Sequence, residues 1–356
     1  MIAGILGPPR RGAPPILVAL TVSIFLQTAI AACAGEAPSP LAASLKDAYP
    51  SVRALVVARG ACVVFEYYRR GITAGTRSPV YSVTKSVLSI LIGVAIDRGY
   101  LRLDEKLSEL LPEASEANVD PLVREIRVRD LLTMTAGFAP NADNDAGAKI
   151  GDPTSPTWRR LLERPMKYPP GSRFDYDTSG QNLLSIVLTR AIRQDARGFA
   201  RRNLFGPLRI DNYDWAADAD GRLIGATSLL LTARDMAKIG VLYLQQGRWG
   251  DQQIVSSAFV RASTTKHSEG GPPANAAYGY FWWIGKTKTG DGAFFAAGQD
   301  DQLIYVVPKR DLVVALAAES VPGGGVSLVN DFVLPAEAGL PASAPCIARY
   351  ARGRPE

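Results

Sequence analysis

Ser82-Val83-Thr84-Lys85 places a hydroxyl and an amine three residues apart. On a helix such positions share a face, so Lys85 is expected beside the Ser82 hydroxyl. Burial favours the neutral form of a lysine, and a neutral amine can accept the serine proton as the oxygen attacks a carbonyl. If the pair opens a helix, its first-turn N–H groups and positive dipole end face the negative charge that develops. The spacing alone is cheap, because it recurs at Ser263-Thr264-Thr265-Lys266. Context separates the two copies. Ser82 opens residues 82–98, apolar nearly all round (Val87, Leu88, Ile90, Leu91, Ile92, Val94, Ile96) and stopped by Gly99. Ser263 sits in a polar stretch running into His267-Ser268-Glu269-Gly270-Gly271-Pro272-Pro273. The plain alternative for Ser82 is a helix N-cap with a solvated Lys85.

A second candidate group lies in Pro169-Pro170-Gly171-Ser172-Arg173-Phe174-Asp175-Tyr176-Asp177-Thr178. A phenol near a lysine ionises more readily and can serve as general base, then as general acid. The alternative for Tyr176 is an aromatic anchor for its loop. His267 is the single histidine of the chain. A Ser-His-Asp triad is therefore excluded unless His267 serves, and His-rich zinc sites are excluded outright. No metal or organic cofactor is implied.

These residues must be held by elements legible in the pattern. Residues 54–58 (ALVVA) and 62–68 (CVVFEYY) predict a β-hairpin across Arg59-Gly60-Ala61. An all-round apolar helix over 82–98 is a buried central one. Helical segments and loops follow from 104 to about 220, with 141–156 a long polar loop, 183–192 helical and 233–245 an amphipathic helix. Strands return at 280–284, 293–297, 303–307 and 312–317. Strands at both ends with a helical middle imply an α+β fold: one sheet drawn from both termini, with a helical insertion.

The N-terminus predicts export. Arg10 and Arg11 precede an apolar stretch, 16–32, that ends in small residues, as in a secretory signal peptide. Residues 1–32 are then a leader and 33–43 a tether. Ile30-Ala31-Ala32-Cys33 also resembles a bacterial lipobox, which would make Cys33 a lipidation site and the product a periplasmic or membrane-anchored lipoprotein. Ordinary cleavage nearby and an uncleaved anchor are the alternatives. Removing the two arginines lowers the formal +6 to +4. The remaining basic residues are interspersed with acids, which argues against a nucleic-acid partner. Cys62 and Cys346 would remain, and export permits a disulfide without establishing one.

The ordered series of motifs resembles the β-lactamase-related serine hydrolases: class C β-lactamases, DD-peptidases, esterases and 6-aminohexanoate-dimer hydrolases. It comprises the Ser-x-x-Lys helix, Leu131-Leu132-Thr133-Met134-Thr135-Ala136-Gly137, the Pro-Gly-x-x-Phe-x-Tyr of 170–176, Leu204-Phe205-Gly206-Pro207-Leu208, Thr232-Ala233-Arg234-Asp235-Met236-Ala237, and Gln302-Leu303-Ile304-Tyr305-Val306-Val307-Pro308. The wording is most similar to the 6-aminohexanoate-dimer-hydrolase-like branch. The resemblance implies a serine β-lactamase/penicillin-binding-protein-like fold, an antiparallel sheet flanked by helices plus a mainly helical lobe. Lobe boundaries are expected at 44–103 with 225–340, and at 104–224, with 341–356 a tail.

It also implies a third site element, Lys-Thr-Gly or His-x-Gly, on a strand lining the site. A literal Lys288-Thr289-Gly290 occurs, but in the polar connection before that strand. Ala296-Ala297-Gly298, at the strand's end, is the better match. The Gln299 N–H would then complete an oxyanion hole with that of Ser82, and Ala297, Gly298 and Thr178 would contact substrate. Two departures stand out. The third element carries no cation, and Thr178 occupies a position where many relatives have asparagine. Asp300 and Asp301 read as a solvated loop. The expected activity is acyl transfer from a small-molecule ester or amide through Ser82, Lys85 and Tyr176. Two alternatives remain open: a penicillin-binding envelope sensor with weak turnover, and a true β-lactamase or DD-peptidase using Lys288-Thr289-Gly290.

Overall fold

The computed structural model describes residues 40–116, 118–139, 158–218 and 222–340. The expected leader, Cys33, the 141–156 loop and Cys346 lie outside the described residues. Helix α1 (Pro40–Ala48) extends into what the sequence suggested was tether, because Leu41 and Leu45, one turn apart, are both buried in the core.

Valine-rich β1 (Val52–Arg59) and β2 (Cys62–Tyr68) form the predicted hairpin. Short β3 (Arg77–Pro79) leads to α2 (Val83–Asp97). Between β3 and β4 (Asp214–Trp215) the described chain supplies helices, turns and loops, with no pairing longer than a single bridge. After α2, the longest helix of that stretch is Thr178–Ile192, as long as α2 itself, and it starts five residues before its apolar signal. β5 (Leu229–Thr232) pairs with both β3 and β4 and runs into the Ala233–Leu244 helix. The small hairpin of β6 (Arg248–Trp249) and β7 (Gln252–Gln253) precedes the Ser257–Ser263 helix. Five further strands follow: β8 (Ser268–Gly271), β9 (Ala276–Tyr278), β10 (Trp283–Lys286), β11 (Gly292–Gly298) and β12 (Gln302–Val307). β13 (Leu312–Ala318) closes the series.

Eight of these strands make one antiparallel sheet in the order β2-β1-β13-β12-β11-β10-β9-β8. Strand residues alternate between faces, and the packing follows that parity. Gly240 of the 233–244 helix meets Val313 and Ile304. Leu316 and Tyr305, of opposite parity, meet Gly325 and Asn330 on the other face. Ala296 pairs with Ile304 and Gly298 with Gln302, so their side faces the 233–244 helix. α2 lies on that side too, because Gly298 abuts the start of α2.

The sheet and α2 therefore share one core. All residues from Val83 to Ala95 are buried, as an all-round apolar helix requires. α+β is the observed class, with helices on both faces of the sheet.

Candidate active site

Tyr81 holds φ +45°, and the chain turns there from β3 into α2. Ser82 is the N-cap of α2, with helical angles (φ −68°, ψ −8°), and its hydroxyl caps no amide of the helix. That hydroxyl accepts instead from Lys85 Nζ at 2.8 Å. Lys85 is 1% exposed. It donates a second bond, 3.0 Å, to the carbonyl of Ala226, and its Nζ stands 5.2 Å from the Tyr176 ring centroid. The solvated lysine of the N-cap alternative is not what the structure contains.

The segment 226–230 runs beside α2 and fastens its start. Leu229 N donates to Thr84 Oγ1 at 3.3 Å, and Val80 N donates to the Leu229 carbonyl at 2.9 Å. Ser86 Oγ donates to the Phe281 carbonyl at 2.6 Å one turn further along. Nothing in the side chains of Gly225-Ala226-Thr227-Ser228 advertises this role, since the group that meets Lys85 is a backbone carbonyl.

Tyr176 reaches the same place from the other wall. Its loop hangs on the Leu131–Gly137 segment: Gly171 N donates to the Thr135 carbonyl and Asp175 N to the Met134 carbonyl, both at 2.8 Å. The Tyr176 ring stacks on Trp283 (5.7 Å, 14°), which packs edge-on against Phe174 and Tyr278. Burial, and then the neighbouring Tyr176 phenol, push the Tyr278 hydroxyl above its ordinary range, so Tyr278 stays neutral beside Tyr176. Asp177 is engaged in structure. Arg164, 9% exposed at its side chain, donates to the Asp177 carboxylate at 2.6 Å. A Cβ on Gly180 would lie 2.3 Å from that carboxylate, so the glycine makes room for it over the first turn of the 178–192 helix. Thr178 opens that helix and faces the cleft.

β11 brings up the third element. A Cβ on Gly298 would lie 2.4 Å from the Val80 carbonyl oxygen and 3.2 Å from Ser82 N. Gly298 thus touches the backbone of the Ser82 turn, and Gln299, the next residue, lines the cleft. Lys288-Thr289-Gly290 lies in the β10–β11 hairpin turn, beyond the opposite end of a seven-residue strand. Six strand steps separate Gly292 from Gly298, about 20 Å. Lys288 is exposed and paired with Asp331.

The second Ser-x-x-Lys is also dispersed. Ser263 is fully buried and donates to the Phe259 carbonyl at 2.7 Å, while Lys266 pairs with Glu269. The ring of His267 stacks on Tyr280 at 4.3 Å and lies 2.9 Å from the Ala262 carbonyl. Asp301 accepts from Val321 N and Gly325 N, both at 2.7 Å, and Asp300 accepts from Ser320 Oγ. Both carboxylates therefore organise the 320–325 turn rather than forming a merely solvated loop.

The cleft between these walls has a volume of about 1550 Å³. Tyr81, Tyr176, Thr178, Ser228 and Gln299 line it. Lys167, Tyr168, Gly171, Ser172 and Arg173 line it too, as do residues 266–273. Of these, 171–173 belong to the 169–178 group that the sequence singles out, whereas nothing in the sequence pattern assigns Lys167, Tyr168 or 266–273 to the site.

A model of the beta-lactamase family matches residues 34–336. The chain belongs to that family. Within it, the chain is 24% identical over 282 residues to the 6-aminohexanoate-dimer hydrolase of Paenarthrobacter ureafaciens, covering 73% of this chain and 71% of that one. Among solved structures it resembles a candidate 6-aminohexanoate-dimer hydrolase from Bacillus anthracis (TM-score 0.72, 20% identity, 83% and 81% of the two chains). It also resembles the octameric penicillin-binding protein homologue of Pyrococcus abyssi (TM-score 0.65, 19% identity, 83% and 75%). The fold is thus that of serine β-lactamases and penicillin-binding proteins, as the motif series implied, and this beta-lactamase-family protein is a serine hydrolase.

Proposed function

We propose that this protein cleaves an ester or amide through an acyl-enzyme on Ser82, with Lys85 and Tyr176 moving the protons. The 2.8 Å contact between a buried Lys85 and a Ser82 hydroxyl that caps nothing carries the reading. Ser82 Oγ bonds to the substrate carbonyl carbon as its proton passes to the Lys85 amine, and the carbonyl π electrons move to oxygen. The amides of Ser82 and Gln299 would receive that oxyanion, a placement supported by the contact of Gly298 with the Ser82 turn. When the carbonyl re-forms, the leaving amine or alkoxide departs with a proton delivered through Lys85 and Tyr176. Water then attacks the acyl carbon, restoring Ser82 and releasing a carboxylic acid.

The named activity of the Paenarthrobacter relative, hydrolysis of an amide dimer, supports amides among the substrates. The third element, Ala296-Ala297-Gly298, supplies no cation for a carboxylate beside the scissile bond. Uncharged esters and amine-bearing amides meet no such deficit.

Export is part of the proposal. The basic start and apolar stretch before Cys33 support it, as does a family match that begins at residue 34. Globomycin should accumulate a precursor if Cys33 is lipidated, and unchanged processing would refute lipidation. The test of the chemistry is a fluorophosphonate probe with p-nitrophenyl esters. Ser82→Ala should lose labelling and turnover, and Ser263→Ala should keep both. Stable labelling of Ser82 without turnover would instead mark a sensor.

A further inference from the structure

The Lys85 contacts lead one step outward, to a residue that touches neither nucleophile nor cleft. A neutral amine has two N–H donors and one lone pair. As a base toward Ser82, Lys85 must aim the lone pair at the hydroxyl proton, so its orientation has to be fixed by its donors. The Ala226 carbonyl takes one of them at 3.0 Å. That carbonyl is only as steady as the backbone carrying it, and residue 226 lies in a turn before β5, outside any ladder. Its own N–H is held by a side chain, the Oδ1 of Asn182, at 3.1 Å. Asn182 is 3% exposed and sits in the second turn of the 178–192 helix.

We infer that Asn182 is a positioning residue for catalysis: through Ala226 it fixes the direction in which Lys85 presents its amine to Ser82. The inference rests on the proposed roles of Ser82 and Lys85. It also explains a division of labour along one helix. Ser185, in the same helix and fully buried, fastens the same incoming segment by donating to the Leu223 carbonyl at 2.6 Å. The Lys85 amine bonds to Ser82 and Ala226 rather than to Leu223, so Ser185 supplies anchorage without orientation. The two side chains form a matched pair in which stability and catalysis separate.

The test uses Asn182→Leu, with Asn182→Ala as a second variant if the larger side chain prevents folding. Asn182→Asp retains an acceptor for Ala226 N–H, and Ser185→Ala serves as the structural control. Each is assayed for kcat and KM on a p-nitrophenyl ester, for the rate of fluorophosphonate labelling, and for Tm. Misorientation of a catalytic group by about 1 Å costs on the order of 10²-fold. Asn182→Leu should therefore lose roughly 10- to 100-fold in both kcat and labelling rate, with KM within about threefold. Asn182→Asp should recover most of the loss. Ser185→Ala should lower Tm while kcat and labelling stay near wild type. Wild-type labelling in the Asn182→Leu and Asn182→Ala proteins would overturn the inference, as would an equal kinetic loss in Ser185→Ala. Full turnover in Ser82→Ala, run in parallel, would instead remove the reading beneath it.

Discussion

Gly298→Ala is the smallest change that should disable the site, and its effect can be worked from contacts. The added Cβ would sit 2.4 Å from the Val80 carbonyl oxygen, 3.2 Å from Ser82 N and 3.3 Å from Gln302 Cβ. The first of these falls about 1 Å short of ordinary van der Waals contact. Val80 cannot yield without cost, because its N–H bonds to Leu229 and its carbonyl accepts from Val83 N at the head of α2. Gln302 is held in the first pair of the β11–β12 ladder. The strain must therefore be relieved by separating the end of β11 from the Ser82 turn. That movement widens the gap between the two amides proposed to hold the oxyanion. Loss of one such donor costs about 10²- to 10³-fold in kcat, or about 2.7–4 kcal/mol, and overpacking costs about 1–3 kcal/mol of stability. We expect kcat for a short acyl ester to fall at least 10²-fold, with a Tm lower by several degrees. Stopped-flow acylation by the same ester would place the loss in the first chemical step. Unchanged kcat and Tm would refute the close approach of β11 to the nucleophile and the oxyanion hole built upon it.

Lys85→Ala and Tyr176→Phe should each lower kcat by about 10²-fold or more, and a nearly active Tyr176→Phe would leave that ring an anchor stacked on Trp283. Nitrocefin and penicillin should be turned over feebly beside short esters, with Lys288→Ala leaving esterase activity intact. Efficient β-lactam hydrolysis that collapses in Lys288→Ala would contradict this. Lys309 and Arg310, bonded to Asp291, hold its carboxyl at about 2, below its ordinary value. Asp291 therefore stabilises the fold above its unfolded pKa, near 4, and that stabilisation is lost as the pH falls through about 2. Asp291→Asn should show a shallower fall in Tm between pH 4 and 2, and a fall as steep as wild type would argue against the linkage.

The parts legible in the sequence were those where side-chain pattern and burial coincide. α2 announced itself because both its faces are buried, and β1, β11, β12 and β13 because their apolar runs lie inside the sheet, while β2, at its edge, was legible from its β-branched and aromatic residues. The rank of Ser82 over Ser263 came from the same source: one opens a buried helix, the other ends a short one. Backbone-determined features were illegible. β8 (Ser-Glu-Gly-Gly) is a polar edge strand and β9 (Ala-Ala-Tyr) beside it is only three residues long, so both are defined by pairing rather than composition. The aromatic run 280–283 looked like strand throughout, yet β10 starts only at Trp283. Phe281 adopts φ +60° and gives its N–H to Leu132 instead of a neighbouring strand. The Ala226 carbonyl offered no side-chain signal, and Asn182 becomes interpretable only once residues 44 positions apart are seen in contact.

The strand order also constrains when this protein can exist as a folded object. β1 lies between β2 and β13, and Val52 pairs with Ala318, 266 positions later in the chain. At about 5–20 residues per second, the ribosome needs tens of seconds to supply that partner. Through that interval β1 has one unsatisfied edge, and α2 lacks the β11–β12 floor against which it packs. Contacts of such separation are intrinsically slow to form. The N-terminal third therefore emerges with its most apolar segments uncovered and no means of covering them from its own sequence. A nascent chain in this condition is a substrate for chaperones that hold unfolded polypeptide, and it remains threadable until its last strand is made.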